Sequence, residues 1–409
     1  MKETTTKPTT SPVGTDRLTA RTVRRDGADA DLAAFAGDDG VLFEHAGAGL
    51  AGRGVALRVK AADVADSLAA ITVDDEVGLR GCGPVAVGAL PFLPDDRATM
   101  VIPRTVLGRA ADGTAWLTTV GTDAPEPAPA PAATRPPDRF TLSAARPHDE
   151  WLAVIGEVIA EIRAGRLRKM VLAREVAVEA NRPVLATHVL ARLRALYPSC
   201  MLFSVEGFVG ASPELLVSRQ GSEVRSQPMA GTIPRSGDPQ VDDHLAAALM
   251  SSAKDRHEHR LVVDAVAGAL SAHCRTLDVP AQPSIVPLRN VCHLGTTITG
   301  RLADPGPSAW DLAAMLHPTP AVAGTPTEEA IACISALEGL DRGRYAGPVG
   351  WMDARGDGEW AVGIRSAEIS GNRARLLAGV GVVADSQPEA ELAETQLKLQ
   401  ALLAAVVRP

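Results

Sequence analysis

Two stretches far apart in the chain place carboxylates where a folded protein seldom wants them. In AKDRHEHRLVVDAV (residues 253–266) the apolar spacing predicts a helix. At about 100° per residue, Asp255 and Glu258 then project within roughly 80° of Val262 and Val266. Carboxylates rarely share a buried stripe without a partner. PEAELAETQLKLQALLAAVV (388–407) repeats the arrangement. Glu391, Glu394, Lys398 and Leu402 fall within about 80° of one another, beside an apolar stripe of Leu392, Leu399, Leu403 and Val406. If the two helices face each other, unpaired like charges repel. Protonation relieves that, and so does a divalent cation. An all-oxygen donor set suits Mg²⁺, which leaves positions free for substrate oxygens and water. A solvated helix with an i,i+4 Glu394–Lys398 pair is the third reading.

Other motifs carry less. SSAK (251–254) satisfies S-x-x-K, but no S-D-N or K-T-G accompanies it. GVGVVA (379–384) satisfies G-x-G-x-x-A, yet the chain ends too soon for the helix, strand and acidic residue of a dinucleotide fold. His257 and His259, two apart, point to different helix faces, so zinc is not expected. On the residues alone, Lys169 reads as a strand-edge charge that limits aggregation. Glu214 reads as a turn carboxylate after Ser-Pro, and His293 as a core histidine.

Composition bounds the possibilities. The chain has 409 residues, 46% hydrophobic and 3% aromatic, with a formal net charge of −8. That is ample for a large core. It offers no basic field for nucleic acid. Five scattered cysteines without a C-x-x-C argue against disulfides or a thiolate zinc site and for a reducing compartment. MKETTTKPTTSPVG is polar, so no Sec signal is expected. No apolar run reaches the roughly 18 residues of a membrane span. A cytoplasmic protein is the expectation.

The elements that must position these residues follow from punctuation and periodicity. Residues 1–15 read as a disordered tail, and 16–122 as strands and turns with one helix in AADVADSLAAI. DAPEPAPAPAATRPPD (123–138) reads as an exposed Pro/Ala loop. The remaining 139–409 form the core. It begins with a helix carrying Trp151, Ile155, Val158, Ile159 and Ile162 and ended by Gly165. A strand at 169–179, a helix near 184–196 and a strand at 200–208 follow. Two strand–turn–strand segments come next, then one long helix over about 240–274. Two strands, two short helices, a run of strands over 346–384 and a closing helix near 387–407 complete the chain. Adjacent strands with helices between groups of them argue for α+β layers.

Several segments resemble, in order and over most of 165–400, the chorismate-utilising enzymes: the isochorismate, salicylate, anthranilate and aminodeoxychorismate synthases. They are KMVLAR (169–174), GASPELLV (210–217), MAGTIPR (229–235), KDRHEH (254–259), VCHLGTTITG (291–300), LHPTPAVAGTP (316–326), YAGPVGWMD (345–353), WAVGIRSAEI (360–369) and AGVGVVADSQPEAELAETQLK (378–398). Residues 16–140 resemble the family's variable N-terminal part only loosely. The resemblance implies one large α+β fold, two stacked and mostly antiparallel sheets flanked by helices, with Mg²⁺ holding a carboxylate of chorismate. It implies Glu258, Glu391 and Glu394 as metal ligands, with Asp255 behind them. It places Arg365 on a substrate carboxylate, which the guanidinium fork suits, and Lys398 as a second cationic contact. Gly231, Thr232, Gly379 and Gly381 match segments that approach the substrate closely, and His293 and Ala321 match pocket walls.

The same resemblance distinguishes the reactions. Water-using members carry a lysine where this chain has Lys169, a base for attack at C2, and Glu214 matches the acid that protonates the departing C4 hydroxyl. PMAG (228–231) stands where the aminodeoxychorismate type has a nucleophilic lysine. The anthranilate type does not resemble this chain at Lys169. Isochorismate formation is therefore expected, with subsequent pyruvate loss to salicylate as the alternative and a non-catalytic binding protein as the third possibility. Siderophore and quinone pathways both remain compatible. A monomer without nucleic-acid or membrane partners is expected, because no long heptad or extended apolar face is visible.

Overall fold

The structure is a computed structural model that describes residues 18–26, 31–121 and 135–407. The expected tail at 1–15 and most of the expected Pro/Ala loop (123–134) lie outside the described residues.

The strand Lys169–Ala180 organises the interior. Its Val- and Ala-rich sequence suits a strand covered on both faces. It pairs antiparallel with Arg373–Val382, which sets Gly381 opposite Val171 and Gly379 opposite Ala173. Its other edge meets Gly324–Thr325 at one end and Phe140–Ala144 at the other. Between these two partners, other groups complete the ladder. The Val171 amide donates to the Ala323 carbonyl, and its own carbonyl accepts from Arg342 Nη2 at 2.9 Å. The Ala173 amide donates to Glu338 Oε2 at 2.7 Å, and its carbonyl accepts from Trp151 Nε1 at 3.3 Å. Buried backbone groups need such partners.

Ladders join twenty strands of the described residues into one open sheet, beside a smaller sheet made by Met229–Pro234, Ser284–Pro287 and Val291–Gly295. Among the described residues every ladder is antiparallel except that of Thr19–Arg25 with Thr72–Asp75. The N-terminal part is tied into the core. Val41–His45 pairs with Met201–Val205, and Val85–Ala89 with Pro348–Asp353. The expected α+β architecture with two mostly antiparallel sheets is present. No helix among the described residues is long and apolar enough to cross a membrane.

Four expected elements differ. A short helix, Leu32–Ala36, capped by Asp31, stands in a stretch read as strands and turns. The long helix is two, Pro239–Ser251 and Ala253–Ser271, broken where Ser252 turns extended and its hydroxyl accepts from the Asp255 amide. That hydroxyl cap satisfies an amide the second helix leaves free. The strand expected over 200–208 is a hairpin of Met201–Val205 and Phe208–Ser212, turning at Glu206–Gly207 with φ of 49° and 79°. Four strands, not two, lie between Cys274 and Leu302.

The helix Ala253–Ser271 packs on Met229–Pro234, and the closing helix Pro388–Val407 packs on Arg373–Val382. As expected, Glu258, Val262 and Val266 share the buried face of Ala253–Ser271, but Asp255, read onto the same stripe, is only half-buried. On the closing helix, Glu391, Thr395, Leu399, Leu402 and Val406 are buried. Leu402, read as part of the acidic strip, thus belongs to the core.

The Glu338–Arg342 pair that completes the central strand is fully buried and bidentate, at 2.7 and 2.6 Å. Removing one partner of a buried pair typically costs about 3–5 kcal/mol, whereas replacing both with apolar residues costs far less. In denaturant unfolding, Glu338→Ala is expected to lose about that much, and the Glu338→Met/Arg342→Met double variant less than the sum of the two single replacements, because the two groups are coupled.

Candidate active site

Twelve of the thirteen residues assigned to catalysis, substrate or metal line one cavity: Lys169, Glu214, Gly231, Thr232, Glu258, His293, Ala321, Arg365, Gly379, Gly381, Glu394 and Lys398; Asp255 lies outside its wall. The thirteenth, Glu391, is buried nearby but is not part of the wall. The cavity lies where the central strand pair, the three-stranded sheet and the two acidic helices meet.

Lys169 is 0% exposed. Its ammonium lies 2.9 Å from Glu258 Oε1, without an aligned hydrogen bond. Gly381 makes this approach possible. A Cβ there would overlap the Glu258 carboxylate and lie 2.9 Å from Lys169 Cε. Gly231, at φ +73°, plays the same part against the neighbouring helix, where a Cβ would lie 3.1 Å from Asp255 Cβ.

Glu214 is 5% exposed. It follows the buried strand Phe208–Ser212, and its amide donates to Ser212 Oγ. Burial pushes its carboxyl up to about 7, against the opposing pull of Lys169, the Met229 amide, Arg365 and Lys398. A carboxylic acid that still holds its proton near neutral pH can act as a general acid.

Arg365 has a left-handed backbone, φ 53°. Non-glycine residues seldom hold that conformation, and those that do cluster at functional sites. Its Nη2 donates to His293 Nε2 at 3.2 Å. An arginine can only donate, so His293 Nε2 must accept and its proton sits on Nδ1. That proton faces the Gly231 carbonyl at 3.2 Å and Thr232 Oγ1 at 3.1 Å. Burial, with Arg365 and Lys398 nearby, holds the His293 pKa well below the usual histidine range. A neutral, oriented imidazole therefore steadies the guanidinium.

The acidic groups are each matched to a lysine. Besides Lys169–Glu258, Glu394 meets Lys398 at 2.6 Å, and Glu391 meets Lys254 at 3.2 Å. Lys398 also donates to the Gly379 carbonyl at 2.9 Å. Burial raises the pKa of both Asp255 and Glu391. Glu258 and Glu394 add to the rise at Asp255, and Glu394 adds to it at Glu391. Asp255 and Glu391 are thus hard oxygen donors whose charged form burial and neighbouring carboxylates disfavour, even with Lys254 beside Glu391. That fits a hard divalent cation, although among the described residues no three carboxylates form a ready-made cage.

The sequence reading assigned no role to Tyr345, Arg342 or Lys254. Tyr345 and Arg342 line the cavity, and Tyr345 is fully buried close to Arg365. Tyr345 opens the quoted segment YAGPVGWMD, and Lys254 opens KDRHEH, so both were in view.

Gly381→Ala tests the glycine clearance. Overpacking a closed site typically costs about 1–3 kcal/mol. The expected outcome is a folded protein whose ligand affinity or turnover falls about tenfold or more, read by calorimetry and steady-state kinetics. Wild-type behaviour would show that the Lys169–Glu258 approach is not tight.

The family described as "Chorismate binding enzyme" matches residues 61–407. The isochorismate synthase DhbC of Bacillus subtilis is 40% identical over 334 residues, 79% of this chain and 81% of that protein. The isochorismate synthase EntC of Escherichia coli K12 is 34% identical over 351 residues, 82% and 84% of the two chains. The solved structure of MenF, the menaquinone-specific isochorismate synthase from Escherichia coli, superposes with a TM-score of 0.81 at 26% identity, covering 96% of this chain and 95% of that one. With the match running through every element that lines the cavity, this chain belongs to the chorismate binding enzyme family.

Proposed function

We propose that this chain is an isochorismate synthase, an isomerase that adds water at C2 of chorismate and expels the C4 hydroxyl. The observation that carries the reading is one cavity holding both a fully buried amine, Lys169, and a carboxyl, Glu214, whose pKa burial raises to about 7. The relatives named isochorismate synthase support it.

Lys169, as the free amine, takes a proton from water while the water oxygen bonds to C2. The ring double bonds shift and the C4–O bond breaks. Glu214 gives its proton to the leaving oxygen, which departs as water. Lys169 ends protonated and Glu214 ionised, and exchange with solvent resets both. Arg365, aligned by His293, grips one substrate carboxylate through its fork, and Lys398 adds a second positive charge. Tyr345 sits beside Arg365 with a hydroxyl for the same end of the substrate. Glu258, Glu391 and Glu394 would hold Mg²⁺, which when bound supplies charge stabilisation at a substrate carboxylate. A hydroxyl replaces a hydroxyl, so the equilibrium is readily reversible. The proposal extends to a monomer in the cytoplasm, a setting that five free cysteines support.

Incubation with chorismate and Mg²⁺, with products separated by chromatography, is expected to yield isochorismate. Salicylate with pyruvate would shift the assignment to the eliminating reaction, and no turnover would remove the enzyme. Added ammonia is expected to leave the product unchanged. Lys169→Ala is expected to keep the fold and lower turnover by about 10²–10⁴-fold, the usual range for a lost acid or base. Retained activity would exclude Lys169 as the base.

The acid also sets a pH dependence. Glu214 serves only while protonated, and its raised pKa keeps it so up to about 7. With Mg²⁺ saturating, kcat/KM in the isochorismate-forming direction is expected to follow a bell, because Lys169 must be free while Glu214 holds its proton, with one limb near pH 7. A profile flat across pH 7 would be incompatible with Glu214 as the proton donor.

A further inference from the structure

We infer that Lys254 is a tethered cation that holds the acidic end of the site until a metal ion displaces it; this rests on the magnesium reading above. The three carboxylates assigned to the metal each meet a lysine, but the three lysines are not equivalent. Lys169 is fully buried, and Lys398 is anchored a second time by the Gly379 carbonyl. Both line the cavity. Lys254 does not, and its side chain is 38% exposed. Its ammonium meets Glu391 Oε1 at 3.2 Å and also feels Glu258 and Asp255. One lysine therefore answers to three carboxylates drawn from two helices.

Its place on the helix sharpens the point. Lys254 is the second residue of Ala253–Ser271. A cation there opposes the helix dipole, so the helix itself gives no reason for a lysine. The surrounding carboxylates do. The flexible four-carbon stem gives the ammonium a short way out to water. A divalent ion brings twice the charge to the same carboxylates, and the displaced ammonium is rehydrated at the surface. In the metal-free protein, Lys254 keeps mutually repelling acids together. On metal binding it is the competitor that must leave, and it sets the affinity.

The test is calorimetric Mg²⁺ binding without substrate to the wild type, Lys254→Met and Lys254→Arg, with the metal-free thermal midpoint of each. A half-exposed pair that must be broken weakens binding by up to about fivefold. Lys254→Met is therefore expected to bind Mg²⁺ about fivefold more tightly, to melt lower without metal, and to gain more from adding it. Lys254→Arg is expected to resemble the wild type. Equal or weaker Mg²⁺ binding by a folded Lys254→Met protein overturns the inference and leaves the magnesium reading standing. Lys254→Gln replaces Lys254→Met if that variant does not fold. If no protein binds Mg²⁺ and chelated enzyme still turns chorismate over, both fall together.

Discussion

The site is built around one contact, the buried approach of the Lys169 ammonium to the Glu258 carboxylate. Taking either charge out of water alone is costly, and the pair is tolerable only because the two compensate each other. That requirement constrains a good deal of the fold. The central strand must deliver a lysine to the same point where the helix delivers a glutamate, and the facing strand must leave a gap at Gly381 for both. The strand is held to this position from behind by Glu338, Arg342 and Trp151, which bond its free backbone groups.

Charge balance organises the rest of the cavity. Positive groups, Arg365, Lys398 and Lys169, bear on Glu214 and oppose its neutral form, yet burial prevails. At the acidic end burial also prevails, with Asp255 and Glu391 both raised. One end keeps a guanidinium whose partner is a neutral histidine, and the other keeps carboxylates whose charged form burial disfavours. A ligand with carboxylates, together with a hard cation, would meet both at once. His293 links them structurally, because its neutral ring is held by Arg365 on one side and by the Gly231 backbone on the other.

How much of this could be read from residues alone depended on range. Glu258 and Glu394 declared themselves because helical periodicity set them on or beside apolar faces, a local pattern that tertiary packing kept. The glycines and Arg365 were found by resemblance, since nothing nearby in the chain says that a left-handed backbone is needed at 365. The break at Ser252 escaped because helical signal continues on both sides and the cap is a single hydroxyl. The hairpin at Glu206–Gly207 escaped because both its strands are buried and apolar, which hides the period of two. Glu391, off the cavity wall, meets Lys254 and Ser386, partners outside the helical pattern.

The side chains that complete the central strand have one more effect. MVLA, within that strand, is the kind of β-prone run that in other proteins must be guarded by charges or prolines against stray pairing. Here the guard is intrinsic: a glutamate capping one helix, an arginine in the loop that follows it and a tryptophan on a second helix already occupy the hydrogen-bonding positions that a foreign chain would need. Whatever exposes that edge must first unseat these buried side chains, so aggregation through this segment is tied to loss of the surrounding tertiary structure and not to local fraying.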